Sequence, residues 1–374
     1  MLFLTNVPLI MSGIRYREVA GFDISTGSTA DTLGWFVFHS TPTMMGIGIF
    51  VMLMGMGLVG AHRTPTGMTA ARRRFLVLGA LGVVHGLLVW WGDILLYYAV
   101  AGLCVLPLLR LSQRMLVAVG VVLITFPVLV TLADAIAQIG GIPDDVLRGL
   151  ERTSAGLMGQ ETTAARRYTS GDIGQVAAQR VADWWGYIQE FAPIGLLQVC
   201  GLLLIGTALA RKGMFHPANA NHPYWRVMAW RAGPAGLLLG VAGILVRTYD
   251  TSAASLLGAL GSTAVLISSP LLALWWCAAV LRNGEWLTRS HPGRCLAAIG
   301  RYSLTTYLGC SVIATVAAYG LGLYGIVPLW MLQLLAVTAI VIAGELALPA
   351  RDRNRVGPVE AVVRAFTTAE RRSP

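Results

Sequence analysis

The chain has 374 residues, 56% of them hydrophobic and only 12% charged. Soluble globular domains carry about 25% charged residues. The composition therefore excludes an ordinary soluble domain, and repeated apolar runs of about 17 to 25 residues point to an all-α, polytopic helical membrane protein. The net charge of +10 comes from 28 Lys+Arg against 18 Asp+Glu, without the aromatic and basic pattern of a nucleic-acid module. The lipid bilayer is thus the expected partner, and nucleic acid is not.

About ten transmembrane helices are expected. Met1–Met11 reads as a partial first helix, because about 11 residues cannot cross roughly 30 Å of hydrocarbon. Its completion is expected upstream, and the segment lacks the basic region and small-residue site of a cleavable signal. Leu33–Gly60 is the second span. Phe75–Trp91 and Ile94–Leu109 form a hairpin around a Gly92-Asp93 turn. Met115–Ile136 is the fifth. Gly140–Glu190 is a long polar loop, and Tyr168–Phe191 within it places Ile173, Val176, Val181, Trp184 and Ile188 at near-helical spacing. That pattern predicts an amphipathic helix lying along the membrane surface and leading into the next span, with Ser170 as cap and Asp172 in the first turn. Pro193–Ala210, Ala232–Val246, Ala254–Leu281, Tyr302–Leu323 and Val327–Leu348 complete the set. Residues 1–349 form a single transmembrane domain with its external loop at about 138–190, and 350–374 form an amphipathic tail. In that tail Pro358 suits a helix start, and Glu360 and Arg364 are spaced to pair.

Of the 28 basic residues, 20 fall in one set of alternate loops and the tail. By the positive-inside rule that face, including the C-terminus, is cytoplasmic and the long loop external. The five cysteines, Cys104, Cys200, Cys277, Cys295 and Cys310, form no C-x-x-C, and neither a disulfide framework nor a metal site is expected. His216 and His222 sit six apart, which fits no standard metal spacing.

Three ionisable residues stand out as catalytic candidates. His85 lies in an apolar span, where an ionisable side chain suggests function. It is either a general base with a reference pKa near 6.5 or a neutral group making an interhelical hydrogen bond. Its ring is expected to face the bundle interior. Asp93, eight residues on, is placed about 12 Å away by helical rise, at the external surface. There it orients a substrate hydroxyl, pairs with Arg247, or caps the following helix. His39, beside Ser40, Thr41 and Thr43, is either a second base or part of a packing patch. Trp90, Trp91, Tyr97 and Tyr98 fall where an aromatic belt would lie; Arg247, Trp90, Trp91 and Tyr97 are the candidate substrate-binding residues. Glu345 is expected to pair with Arg351 or Arg301, or to serve a proton path.

The stretch ARRRFLVLGALGVVHGLLVWWGDILLYYAVAGL resembles the signature of the YeiB-like family of bacterial inner-membrane proteins, domain of unknown function 418. YTSGDIGQVAAQR, IGRYSLTTYLGCS and VGPVEAVVRAFT resemble three further segments of that family in the same order. The family normally begins with an Asp-x-x-Arg-Gly segment, so an upstream Asp- and Arg-containing piece is expected here. The resemblance implies a multi-pass protein of the inner membrane. It also implies remote similarity to membrane acyltransferases that modify sugars, whose first-helix histidine corresponds to Asn6.

Three functional readings follow. The first is a transferase moving an acyl group onto a small-molecule or glycan-like acceptor across the cytoplasmic membrane. It needs no bound cofactor, but takes acyl-CoA or another acyl donor as co-substrate. The second is a transporter or exporter of a small amphiphile with His85 and Glu345 as proton-responsive groups. The third is a non-enzymatic membrane partner protein.

Overall fold

The computed structural model describes residues 2–13, 28–38, 44–61, 64–139, 159–249, 255–353 and 355–367. His39 with Ser40, Thr41 and Thr43, and residues 140–158 of the long loop, lie outside the described residues. In chain order the helices are α1 (Leu2–Met11), α2 (Thr29–Phe38), α3 (Met44–Gly57), α4 (Pro65–Leu88), α5 (Leu95–Val105) with a 3-10 turn Leu106–Arg110, and α6 (Gln113–Ile139). α7 covers residues 159–168. Then come α8 (Ile173–Arg211), α9 (Pro223–Val227), a π-helical turn Met228–Ala232, α10 (Gly233–Tyr249), α11 (Leu256–Arg282), α12 (Gly284–Arg289), α13 (His291–Arg301), α14 (Ser303–Thr315) with a π-helical turn Val316–Gly320, α15 (Leu329–Asp352) and α16 (Pro358–Thr367). No strand occurs among the described residues. The fold is all-α and polytopic.

Hydrocarbon offers no partner to a bare amide, so helices that satisfy their own backbone are the way through it. Their starts are fixed by polar caps. Thr64 accepts from Gly67 N with Pro65 in the first turn, Ser255 accepts from Gly258 N, and Ser290 accepts from Gly293 N. The two loop histidines do the same work: His216 Nδ1 accepts from Ala218 N, and His222 Nδ1 from Tyr224 N. Capping accounts for both without a metal.

Among the described residues, five helices are long and apolar enough to cross a membrane: Gln113–Ala137, Ile194–Arg211, Pro223–Arg247, Leu256–Arg282 and Leu329–Arg351. Two shorter apolar helices, Gly48–Gly57 and Leu95–Arg110, accompany them. α4 contains three consecutive arginines in its first half, which leaves a shorter apolar stretch after Arg74. α6 leaves Val122, Phe126 and Leu129 more than half exposed. In water these would be a liability; in a bilayer they are the ordinary outer surface.

Glycines let the helices approach closely, as in other membrane bundles. A Cβ on Gly120 would sit 3.0 Å from Gly201 O, and one on Gly261 3.0 Å from Gly243 O. These contacts seat α6 against α8 and α10 against α11. Thr207 Oγ1, fully buried, donates to Gly55 O at 2.9 Å and ties α8 to α3.

Several expectations are corrected. Within the second expected span, residues up to Phe38 and Met44–Gly57 are helical, and residues 39–43 lie outside the described residues. The surface helix and the sixth span are one continuous α8, whose cap is Asp172 rather than Ser170: Asp172 accepts from Gly174 N and Gln175 N, while Ser170 Oγ accepts from Asp172 N. The carboxylate wins because it accepts two amides at once, and those amides hold its pKa below the ordinary 3.8. Far from lying loosely on a surface, the start of α8 packs into the bundle, with Gln179, Arg180 and Asp183 buried. In the tail, Glu360 reaches the start of α14, accepting from Leu304 N at 2.8 Å, Thr305 N at 3.1 Å and Thr305 Oγ1. Tyr302 OH donates to Arg355 O at 2.8 Å. A carboxylate at a helix N-terminus is favoured by the exposed amides and the dipole, so α16 is latched to the bundle.

Candidate functional site

α4 ends at Leu88, and the amides of Val89 and Trp90 both donate to His85 O at 2.9 Å. The chain then folds back through Gly92 and Asp93 into α5. This corrects the 12 Å separation, which assumed that the helix continued through residue 93. Asp93 Oδ1 instead lies 2.8 Å from His85 Nδ1, and Oδ2 accepts from Leu96 N at 2.9 Å. Asp93 is 1% exposed and His85 2%. The aspartate therefore caps α5 and holds the imidazole together. No ion pair joins it to Arg247, which lies on α10 with its Cγ against Gly261.

Gly82 makes the pairing sterically feasible. A Cβ there would stand 2.5 Å from Leu96 N and 2.6 Å from Asp93 Oδ2. Only glycine lets the start of α5 come this close to α4 one turn below His85.

If Asp93 is ionised and the imidazole neutral, the shared proton belongs to Nδ1 and Nε2 is left with a lone pair. Nε2 is buried with no hydrogen-bond partner among the described residues. The same holds for Trp90 Nε1, Tyr98 OH and Tyr307 OH. The Tyr307 ring, from α14, is 5.2 Å from the imidazole and the Trp90 ring 6.4 Å. Both tyrosine hydroxyls lie within electrostatic reach of Asp93. Buried polar atoms are nearly always paired. That four such atoms among the described residues gather at and around one His–Asp pair marks this as the candidate site.

The expected aromatic belt turns inward. Trp90 and Trp91 are 3% and 5% exposed, packed with Tyr168 and Tyr324. Tyr98 stacks on Phe50 at 5.1 Å. Tyr97 OH donates to Tyr187 O at 3.1 Å, and Trp91 meets the same tyrosine edge-on at 5.6 Å. Trp90 thus borders the pair directly. Trp91 stands one ring further out, 5.7 Å from Trp90, and Tyr97 meets Tyr187 of α8.

α8 covers this end. Arg180 Nη1 donates to Leu88 O and Thr315 Oγ1 donates to Val89 O, so two orphan carbonyls at the end of α4 are satisfied from other helices. The Arg180 guanidinium also lies 5.4 Å over the Tyr319 ring. A chain of hydrogen bonds continues outward, from Arg167 to Gln179, Gln179 to Asp183 and Tyr168 to Asp183. Sequence reasoning missed Arg180 and Asp183. The signal was present: they lie four and seven residues after Val176, on the apolar stripe that Trp184 continues.

Glu345 does not use Arg351 or Arg301. Its Oε1 lies 2.6 Å from His291 Nε2 and 3.6 Å from Cys295 Sγ. Two cavities are bordered in part by arginines. One, of about 450 Å³, is bordered by Trp230, Gly233, Trp275 and Arg282. The other, of about 960 Å³, is bordered by Asn221, Arg282, Trp286 and Arg289. Neither reaches His85.

Residues 209–370 match the family described as "Protein of unknown function (DUF418)". The chain is 26% identical over 297 residues to the uncharacterized protein YxaH of Bacillus subtilis (strain 168), covering 75% of this chain and 66% of that one. It is 28% identical over 337 residues to the uncharacterized protein YeiB of Escherichia coli (strain K12), covering 86% and 81%. Over residues 209–370 the chain is thus similar to the DUF418 family, and over most of its length to YeiB. It spans about two thirds of the length of YxaH and more of YeiB. The matched segment contains Tyr307, Glu345 and Glu360, and the His85–Asp93 pair precedes it. No solved structure matches.

Proposed function

We propose that this protein is a membrane-embedded transferase that moves an acyl group onto a hydroxyl of a small or glycan-like acceptor. The observation that carries the reading is the buried Asp93–His85 contact, with Nε2 presented to a site of unpaired donors. A carboxylate on Nδ1 fixes the tautomer and orientation of a general base. Nε2 takes the proton of the acceptor hydroxyl as its oxygen attacks the acyl carbonyl of the donor. Tyr307 and Trp90 are the nearest groups to donate to the oxyanion. Collapse of the tetrahedral intermediate expels the donor's leaving group, which takes the proton back from Nε2. Acyl-CoA or another activated acyl donor is the co-substrate. In this reading the arginine-rich face and the C-terminus are cytoplasmic, the protein lies in the cell (inner) membrane, and the acceptor arrives from the opposite face.

The second reading is a transporter or exporter of a small amphiphile in which the pair carries a proton. It is favoured by the near-complete burial of both side chains and by the two cavities stopping short of them. Untargeted comparison of metabolites and lipids between a deletion strain and its parent separates the two. A transferase predicts loss of an acylated species with build-up of the unacylated acceptor. A transporter predicts the same molecules redistributed between cells and medium. No difference in either would remove both readings and leave a partner protein.

A further inference from the structure

The contact between α13 and α15 gathers three residues of metal-ligating type far from the His85 site. Ser290 caps α13 and Pro292 follows, so His291 is fixed as the first helical residue. Cys295 lies four residues on, one turn along the same face. Gly344 brings the two helices together, since a Cβ there would be 2.9 Å from Cys295 Cβ. Glu345, the next residue, reaches across. Nε2, Sγ and Oε1 all lie within 4.8 Å of one another.

The separations can be compared with a tetrahedral ion. With Zn–S about 2.3 Å and Zn–N or Zn–O about 2.0–2.1 Å, two ligand atoms stand about 3.6 Å apart when one is sulfur. When neither is, they stand about 3.3 Å apart. Cys295 Sγ is 3.6 Å from both His291 Nε2 and Glu345 Oε1. The His291–Glu345 distance is 2.6 Å, so that edge alone must open, by less than about 1 Å. Both side chains are more than half exposed and free to do so. A thiolate, an imidazole and a carboxylate suit a borderline transition metal rather than Mg²⁺ or Ca²⁺.

We propose that His291, Cys295 and Glu345 bind a divalent transition-metal ion of the Zn²⁺ class, which clamps α13 to the last long helix. Three protein ligands leave a fourth position on the exposed side for water or a small anion. The proposal is independent of the transferase reading. Burial and the neighbouring Glu345 carboxylate push the Cys295 thiol up, while Arg294 opposes them. Metal binding must therefore release the thiol proton.

The test uses the full chain purified in detergent and titrated with Co²⁺ and Zn²⁺. One equivalent of Co²⁺ should give a thiolate-to-cobalt absorption band, and one equivalent of Zn²⁺ should displace it. Cys295→Ser should abolish the band. His291→Ala, a change at an exposed position, should weaken Zn²⁺ affinity at least tenfold in competition with a chromophoric chelator. Cys310→Ser should leave both unchanged. Added Zn²⁺ should raise the melting temperature of the wild type and not that of the His291 variant. Absence of a thiolate band in the wild type, or its persistence in Cys295→Ser, would overturn the proposal.

Discussion

Replacing Asp93 separates its two roles. Its carboxylate satisfies His85 Nδ1 at 2.8 Å and Leu96 N at 2.9 Å, in a place almost closed to solvent. Asp93→Ala leaves both donors unpaired, at about 1–3 kcal/mol each. Breaking a buried pair by removing one partner costs about 3–5 kcal/mol as a whole, so about 3–5 kcal/mol is expected. Asp93→Asn differs. Its oxygen still accepts from Leu96 N, and its NH2 can donate to Nδ1, so the loss should stay below about 1.5 kcal/mol. The imidazole proton then moves to Nε2, and the base is lost with the fold kept. An Asp-to-Asn change beside a catalytic histidine has cost about 10⁴-fold elsewhere through the wrong tautomer. Denaturation in detergent reads the stability difference, and ¹⁵N shifts of labelled histidine read the tautomer. Asp93→Ala within about 1 kcal/mol of the wild type, or an unchanged tautomer in Asp93→Asn, would refute the reasoning.

Gly82→Ala puts a methyl group 2.5 Å from Leu96 N; α4 and α5 must part, and a loss of about 1–3 kcal/mol is expected by denaturation, with activity falling further. Arg180→Met removes the hydrogen bond to Leu88 O and the contact over Tyr319, and should destabilise this end by about 2–4 kcal/mol. Hydrogen exchange should then quicken first in residues 159–190 and at the end of α4. Asp172 caps α8 with a carboxyl held below its ordinary 3.8. A lowered folded pKa gives a stabilisation present above that ordinary value and lost as pH falls through the folded one. NMR of the Gly174 and Gln175 amides should show the loss below about pH 4, and Asp172→Ser should remove the dependence.

The apolar runs and the Gly-Asp turn of the hairpin were legible because lipid leaves the backbone one solution and because turn residues punctuate it. The His85–Asp93 contact was not. Helical rise measures distance only while the helix continues, and here it ends three residues after His85. The inward aromatic cluster was misread because Trp and Tyr at a span end look alike whether they face headgroups or the folded-back start of α8. Glu360 was paired with Arg364 by local spacing, yet the exposed amides of α14 claim its carboxylate. His291 and Cys295 show helical spacing in the sequence, but Glu345 comes from another helix, and no local pattern announces it.

The central claim is that His85 acts as a base held by Asp93. Its most direct test is rescue of the deletion strain with His85→Ala and His85→Gln, each checked for wild-type abundance in the membrane. The product is the acylated species lost on deletion, measured by mass spectrometry. The account predicts an inserted protein and no product from either variant, with His85→Gln the more stable because its amide can still hydrogen-bond to Asp93. Full product from both variants would make His85 a packing residue and contradict the account.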